Sequence, residues 1–407
     1  MTLDRIFLST VLFLCSSCWA AEAVDKKTVN ATTLVSEDYY TARRHQRYFV
    51  VELQVPHQVL TTSSINGGMT ETLAYLVNYQ SMEARSGLKH VRSITEKTKQ
   101  QYHDSVADEI GIAPAKMAMM GTAANMNNLI HIRKSFEGLH IDSFVTAGVR
   151  GNALRAGDPT SWYETAEGNR KIDVSGTINT VLMINQPLTA GAQSKAAMLM
   201  VEAKSAALAE LMVSSTVSSH LATGTGTDQF IIATPIATNK RALESASGHL
   251  KLGELIGSAV REATLEAIRW QNRLEHTDAA DLVYLLKRFG FTQTLFLARL
   301  EKYLTAEQYE LAKNNHYSLT ADARVVAATM GYVQLLDRFQ YHNLPVTLRT
   351  EALRDQAAQI AMALAGKPDQ WHRYWQQLSL NDAVEQPEIE LLIQAVALGW
   401  TDKWPSE

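Results

Sequence analysis

Ala222-Thr223-Gly224-Thr225-Gly226-Thr227-Asp228-Gln229-Phe230-Ile231-Ile232-Ala233-Thr234-Pro235 sets a loop of alternating glycines and hydroxyl residues directly before an apolar, β-branched run. The run over 230–235 reads as a strand emerging from the loop. On its N-terminal side, residues 190–215 are dominated by Ala, Leu, Met, Glu and Lys, which predicts a long helix. On its C-terminal side, 252–273 alternates apolar and charged residues at helical spacing and reads as an amphipathic helix. Farther out, 48–55, 141–149 and 177–184 read as strands. Ser63-Ser64-Ile65-Asn66-Gly67-Gly68 reads as a turn feeding a helical 69–80. Long helices alternating with strands give an α/β or α+β class, with a mixed sheet covered by helices.

After about residue 275 the strand pattern stops. Thr305-Ala306-Glu307-Gln308 fits a capping box, 322–338 supplies a further helix, and 347–365 another, ended by Gly366 and Pro368. Five tryptophans, Trp270, Trp371, Trp375, Trp400 and Trp404, read as packing for these helices. The expected organisation is a targeting segment over 1–23, a polar linker over 24–47, an α/β domain over 48–272 and an all-helical domain over 273–407.

The targeting segment follows from Arg5, the apolar run 6–14 and the small residues around Cys18-Trp19-Ala20 and Ala21-Glu22-Ala23. It predicts a periplasmic or secreted protein. Its apolar run is shorter than the ~20 residues a spanning helix needs, so the mature chain is not expected to span a membrane. Cys15 and Cys18 are the only cysteines. Cleavage would leave none for a disulfide, a thiolate nucleophile or a thiolate metal site. With 38 Lys+Arg against 42 Asp+Glu, the net charge is -4, which supplies no global cationic field for a nucleic acid.

Several segments carry candidate chemistry. Glycines in Thr223, Gly224, Thr225, Gly226 and Thr227 let backbone N–H groups approach a ligand, and the threonines add short donors and acceptors. The loop lacks the Gly-Lys-Ser/Thr ending of a phosphate-binding P-loop. His249, just before the helix over 252–273, is the side chain type suited to moving a proton near neutral pH. Glu202 and Lys204 form either a functional pair or a solvated helix face. Asn66, Gly67 and Gly68 form one candidate substrate loop. Thr146-Ala147-Gly148-Val149-Arg150-Gly151-Asn152 forms another, with Thr146, Arg150 and Asn152 around two glycines. Met117, Met119, Met120 and Met126 read as core. The histidines are scattered without ligand spacing, so no bound metal or cofactor is expected.

Ser64-Ile65-Asn66-Gly67-Gly68, Thr146-Ala147-Gly148-Val149 with Gly151-Asn152-Ala153, Gly176-Thr177-Ile178-Asn179-Thr180, Glu202-Ala203-Lys204 with Ala206-Ala207-Leu208, Ala222-Thr223-Gly224-Thr225-Gly226-Thr227-Asp228 and Lys251-Leu252-Gly253-Glu254-Leu255-Ile256 occur in this order. Over roughly 48–271 the chain resembles the adenosylcobinamide amidohydrolases. The resemblance implies cleavage of the amide that joins the aminopropanol arm to a corrin propionate, giving adenosylcobyric acid for corrinoid salvage. The corrinoid is then the small-molecule partner, and its cobalt belongs to the substrate. On this reading the 223–227 loop would bind the oxyanion, Asp228 or Glu202 would activate water, and His249 would protonate the leaving amine. The alternative is a non-catalytic periplasmic corrinoid-binding protein; a third reading is a structural or interaction protein whose helical domain contacts a corrinoid transporter.

Overall fold

A computed structural model of the chain describes residues 31–81, 97–159, 164–165, 168–169, 176–236 and 239–404. The expected targeting segment lies outside these residues. The chain forms two units, one from the segments up to residue 148, 176–203 and 227–267, the other from 149–175, 204–226 and 268–407.

The first unit stacks two mixed sheets face to face. One has the order β1(Thr32–Ser36), β2(Tyr40–Arg44), β3(Tyr48–Leu53), β6(Tyr75–Gln80) and β7(Met117–Thr122). The other has the order β5(Gly68–Thr70), β4(His57–Thr61), β15(Gln229–Pro235), β13(Ile178–Ile184), β9(Leu139–Ala147) and β8(Ile130–Phe136). Most neighbours are antiparallel, but β6 with β7 and β13 with β15 are parallel. The shared core draws Phe49, Val51, Leu76 and Met120 from the first sheet and Phe144, Val181, Met183 and Ile231 from the second. The mixed sheet expected from the sequence is therefore a pair of mixed sheets.

Helices cover both outer faces of the pair. α1(Lys99–Ile110) opens on a Thr98–Gln101 capping box, closes on left-handed Gly111, and packs Val106 and Ala107 with Val77, Tyr79 and Met117 of the five-stranded sheet. α2(Ala190–Glu210) and α3(Lys251–Asn272) cover the six-stranded sheet. Ala192, Ala196, Met200 and Ala203 of α2 recur at helical spacing as a buried stripe, as do Leu252, Leu255, Ile256 and Val260 of α3. β13 lies between the two cores, so its seven residues are all buried.

Two expectations are corrected here. The described part of the polar stretch read as a linker carries β1 and β2. Val35, Tyr40 and Ala42 turn inward while charged residues such as Glu37 and Arg43 stand between them. The segment 69–80, read as helical, forms the end of β5 and all of β6. Every residue of β6 from Leu76 to Gln80 is buried, which erases the alternation that normally marks a strand.

The second unit is mostly helical. Its helices are α4(Leu282–Leu286), α5(Gln293–Leu300), α6(Ala306–Asn314), α7(His316–Thr320), α8(Ala323–Gln340), α9(Arg349–Ala365), α10(Trp371–Gln377) and α11(Pro387–Lys403). The Thr305–Gln308 capping box and the left-handed Gly366 after α9 occur where the sequence places them, and Asp322, read as the first residue of a helix, caps α8. Their core centres on Leu286, Phe296, Tyr332, Ile360 and Trp400. Trp400 also donates its indole N–H to the Gln308 carbonyl at 3.1 Å. In the same unit β10(Ala153–Leu154) pairs with β14(Gly224–Thr225), and β11(Glu164–Thr165) pairs with β12(Gly168–Asn169).

Candidate functional site

At one end of the six-stranded sheet, Thr146 of β9, Asn179 of β13 and Gln229 of β15 stand opposite one another in register. Their polar side chains meet the five-stranded sheet through a hydrogen-bonded cluster. Asn78 Nδ2 donates to Thr146 Oγ1 at 2.9 Å, and Asn179 Nδ2 donates to Asn78 Oδ1 and to the Gly121 carbonyl, each at 2.9 Å. The Gly121 N–H in turn donates to Gln229 Oε1 at 3.1 Å. Asn78, Thr146 and Asn179 are almost fully buried. Buried amides persist only where their bonds are satisfied, so this cluster fixes how the two sheets meet.

The loop entering β15 is tied to the same end. Asp228 Oδ1 accepts the Ile178 N–H at 3.0 Å, Thr177 Oγ1 donates to the Thr227 carbonyl at 2.6 Å, and Thr227 Oγ1 donates to the Gly176 carbonyl at 2.9 Å. Thr177 Oγ1 also lies 3.3 Å from Asn179 Oδ1, linking loop to cluster. Asp228 is half-buried and Thr227 exposed, so a carboxylate and a hydroxyl border solvent beside an amide-lined interior.

The turn bearing Asn66, Gly67 and Gly68 is built against β7. Asn66, at φ 56°, donates from Nδ2 to the Pro114 and Met117 carbonyls, and Ser63 Oγ accepts the Met119 N–H. A Cβ on Gly67 would lie 2.0 Å from the Ser63 carbonyl oxygen, which is why glycine stands there. This turn therefore packs on the strand that carries Gly121 of the amide cluster.

Other sequence-selected residues have different surroundings. Glu202 lies on the exposed side of α2, off the buried stripe of that helix. His249 is exposed just before α3, where Lys251 lies over the Phe136 ring at the hairpin joining β8 to β9. Thr146 is seven residues farther along β9, roughly 23 Å at the usual strand rise. His249 thus does not join Thr227 and Asp228, because α3 begins at the opposite end of the sheet. In the second unit, Thr223 Oγ1 accepts the Ala156 N–H at 2.8 Å, the Gly226 N–H donates to the Asn152 carbonyl at 3.2 Å, and Asn152 and Thr225 are buried. A Cβ on Gly226 would lie 3.0 Å from Asn152 Oδ1. These groups build a tight ribbon, so Thr223 and Gly226 direct their bonds inward in place of the oxyanion cradle expected of them.

Sequence reading missed Asn78, and singled out Gln229 only as the amide closing the glycine–threonine loop and Asn179 only within a resembling segment. The available signal was a lone amide inside a run of strand-forming apolar residues.

A second polar cluster joins the sheets near the middle of β9. Asp142 is fully buried, accepts from Tyr40 at 2.7 Å and from Arg133 at 2.8 Å, and lies 2.6 Å from His131 Nε2. Burial alone would raise its carboxyl, but the bonds from His131, Arg133 and Tyr40 outweigh it and hold the pKa down at about 2. Burial first, and then the Asp142 charge, push the Tyr40 hydroxyl well above its ordinary range.

Among the described residues, no three His, Cys, Asp or Glu side chains gather as a metal site, and no helix is long and apolar enough to cross a membrane.

The two-sheet unit with its amide-lined strand ends lies within a matched family region. The adenosylcobinamide amidohydrolase family matches residues 31–276, more than half of the chain, and this chain belongs to that family. An uncharacterized protein of Methanocaldococcus jannaschii is 29% identical over 248 residues, covering 54% of this chain and 94% of that protein. A crystal structure of the PH0078 protein from Pyrococcus horikoshii OT3 aligns with 59% of this chain and 83% of its own, at 10% identity and a TM-score of 0.28.

Proposed function

We propose that the protein hydrolyses the aminopropanol amide of adenosylcobinamide to adenosylcobyric acid, acting in corrinoid salvage after export to the periplasm. Family membership supports the substrate class. The observation that carries the mechanism is Asp228, a half-buried carboxylate held by the Ile178 N–H beside the amide cluster.

In this mechanism a water attacks the amide carbonyl as Asp228 takes its proton. The tetrahedral intermediate then collapses, the carbon–nitrogen bond breaks, and Asp228 returns the proton to the departing amine. One carboxylate serves as base and then as acid, which replaces the Asp228–His249 division of labour expected from the sequence. Thr227, exposed beside it, lies within reach of a bound substrate's polar groups. The cobalt stays in the corrin ring as part of the substrate.

Asp228→Asn is the direct test, since asparagine keeps an oxygen for the Ile178 N–H but cannot take a proton. Its kcat should fall by about 10²–10⁴-fold, while His249→Ala should match the parent. Full activity in Asp228→Asn, or its loss in His249→Ala, would contradict the mechanism.

A further inference from the structure

The second unit contains a cavity of about 910 Å³ whose charged lining has no role in the amide chemistry. Its wall includes the hydroxyl-rich segment Val213–Ser219, the cations Arg150, Arg273, Lys287 and Arg288, and a single acid, Asp278. In a chain of net charge -4 this is a local reversal of sign.

The backbone brings the cations together. Asn272 Oδ1 accepts the Val149 N–H at 3.0 Å, so Arg150 and Arg273 each follow directly on one member of a bonded pair. Arg273 itself sits in the left-handed region at φ 53°. Lys287 precedes Arg288, whose guanidinium donates to the Ser219 carbonyl at 2.6 Å and so ties this stretch to the end of the hydroxyl segment. That segment is held by its own bonds: Ser215 Oγ donates to Asp158 and accepts the N–H groups of Val217 and Ser218.

Two features point to a ligand. Arg150, Arg273 and Lys287 are all exposed, and among the described residues none of the three side chains has an ion-pair partner. Arg288 is about 1% exposed and paired with Asp337, yet its Nε is a buried donor without a partner among the described residues. Asp278, whose carboxylate accepts the Glu275 N–H at 2.6 Å, is one acid against these cations.

We infer that this cavity binds a small phosphate-bearing molecule, with Arg150, Arg273 and Lys287 as its cationic groups. Three cations exceed what one carboxylate can neutralise, whereas a phosphate carries close to two charges at neutral pH and several acceptor oxygens. The cavity size suits a small metabolite.

Isothermal titration of the whole mature protein with inorganic pyrophosphate at fixed ionic strength tests this. One molecule should bind per chain. Arg273→Gln and Lys287→Gln should each weaken binding at least tenfold while their circular dichroism matches the parent. Arg241→Gln, an exposed change at a residue outside the cavity lining, should leave binding intact. No measurable binding, equal weakening in Arg241→Gln, or capture of citrate in preference to pyrophosphate would overturn the assignment. The titration contains no corrinoid, so it can fail or succeed independently of the amide-hydrolysis reading.

Discussion

Asn179 donates to Asn78 across the two sheets at 2.9 Å, and the same Nδ2 reaches the Gly121 carbonyl. One buried amide thereby satisfies acceptors on two strands of the opposite sheet and joins the two layers at the end bearing Asp228. Asn179→Ala would leave both buried acceptors without this donor. Leaving a buried acceptor unpaired costs about 1–3 kcal/mol, so for two acceptors urea unfolding should show a loss of roughly 2–6 kcal/mol. A loss below about 0.5 kcal/mol, the range of neutral surface changes, would show that the bond does not hold the sheets.

Gly67 and Gly68 separate two reasons for a glycine. An added Cβ at Gly67 meets the Ser63 carbonyl at 2.0 Å, whereas at Gly68 it meets nothing within 4 Å but inherits a φ of +85°. Gly68→Ala should cost about 1–2 kcal/mol, the left-handed backbone penalty. Gly67→Ala should cost more and should also weaken corrinoid turnover, because the displaced turn releases the Ser63 bond to β7. Thermal unfolding of the pair checks the order, and equal losses would contradict it.

The pH dependence has two separate windows. His57 is fully buried, and burial lowers its pKa, offset in part by its Nδ1 bond to the Val55 carbonyl. A depressed histidine is neutral in the folded chain while the unfolded chain takes up a proton, so stability is full above the unfolded pKa of about 6.5 and declines as pH falls below it. Asp142, held at about 2, stays ionised when folded, and its contribution is lost only as pH falls from about 4 toward 2. The melting temperature should therefore drop between pH 7 and 5, and His57→Gln should flatten part of that drop, the rest coming from His45 and His140, whose pKa values burial also lowers, without altering the acid limb. An unchanged slope in the variant would refute the assignment.

Much of this architecture was legible in the sequence. The strand over 230–235, the helices over 252–273 and 322–338, and the helix-end signals at Thr305 and Gly366 each depend on local patterns that packing did not override. The segments misread were those whose surroundings decide the outcome. β6 is buried on both faces and shows no alternation, and β1 and β2 mix inward Tyr40 and Ala42 with outward charges. The site was legible in part for the same reason. Asp228 and Thr146 stand in short, unusual segments, but the pairing of Asn78 with Asn179 joins residues 101 positions apart, and no local pattern reports it. His249 looked suitable by chemistry alone, whereas its distance from Asp228 is set by where α3 begins.

The most direct measurement is to incubate the purified protein with adenosylcobinamide and follow the corrinoid by liquid chromatography and mass spectrometry. The account predicts conversion to adenosylcobyric acid with equimolar release of aminopropanol, abolished in Asp228→Asn. A corrinoid that remains intact, whether bound to the protein or free, would contradict it.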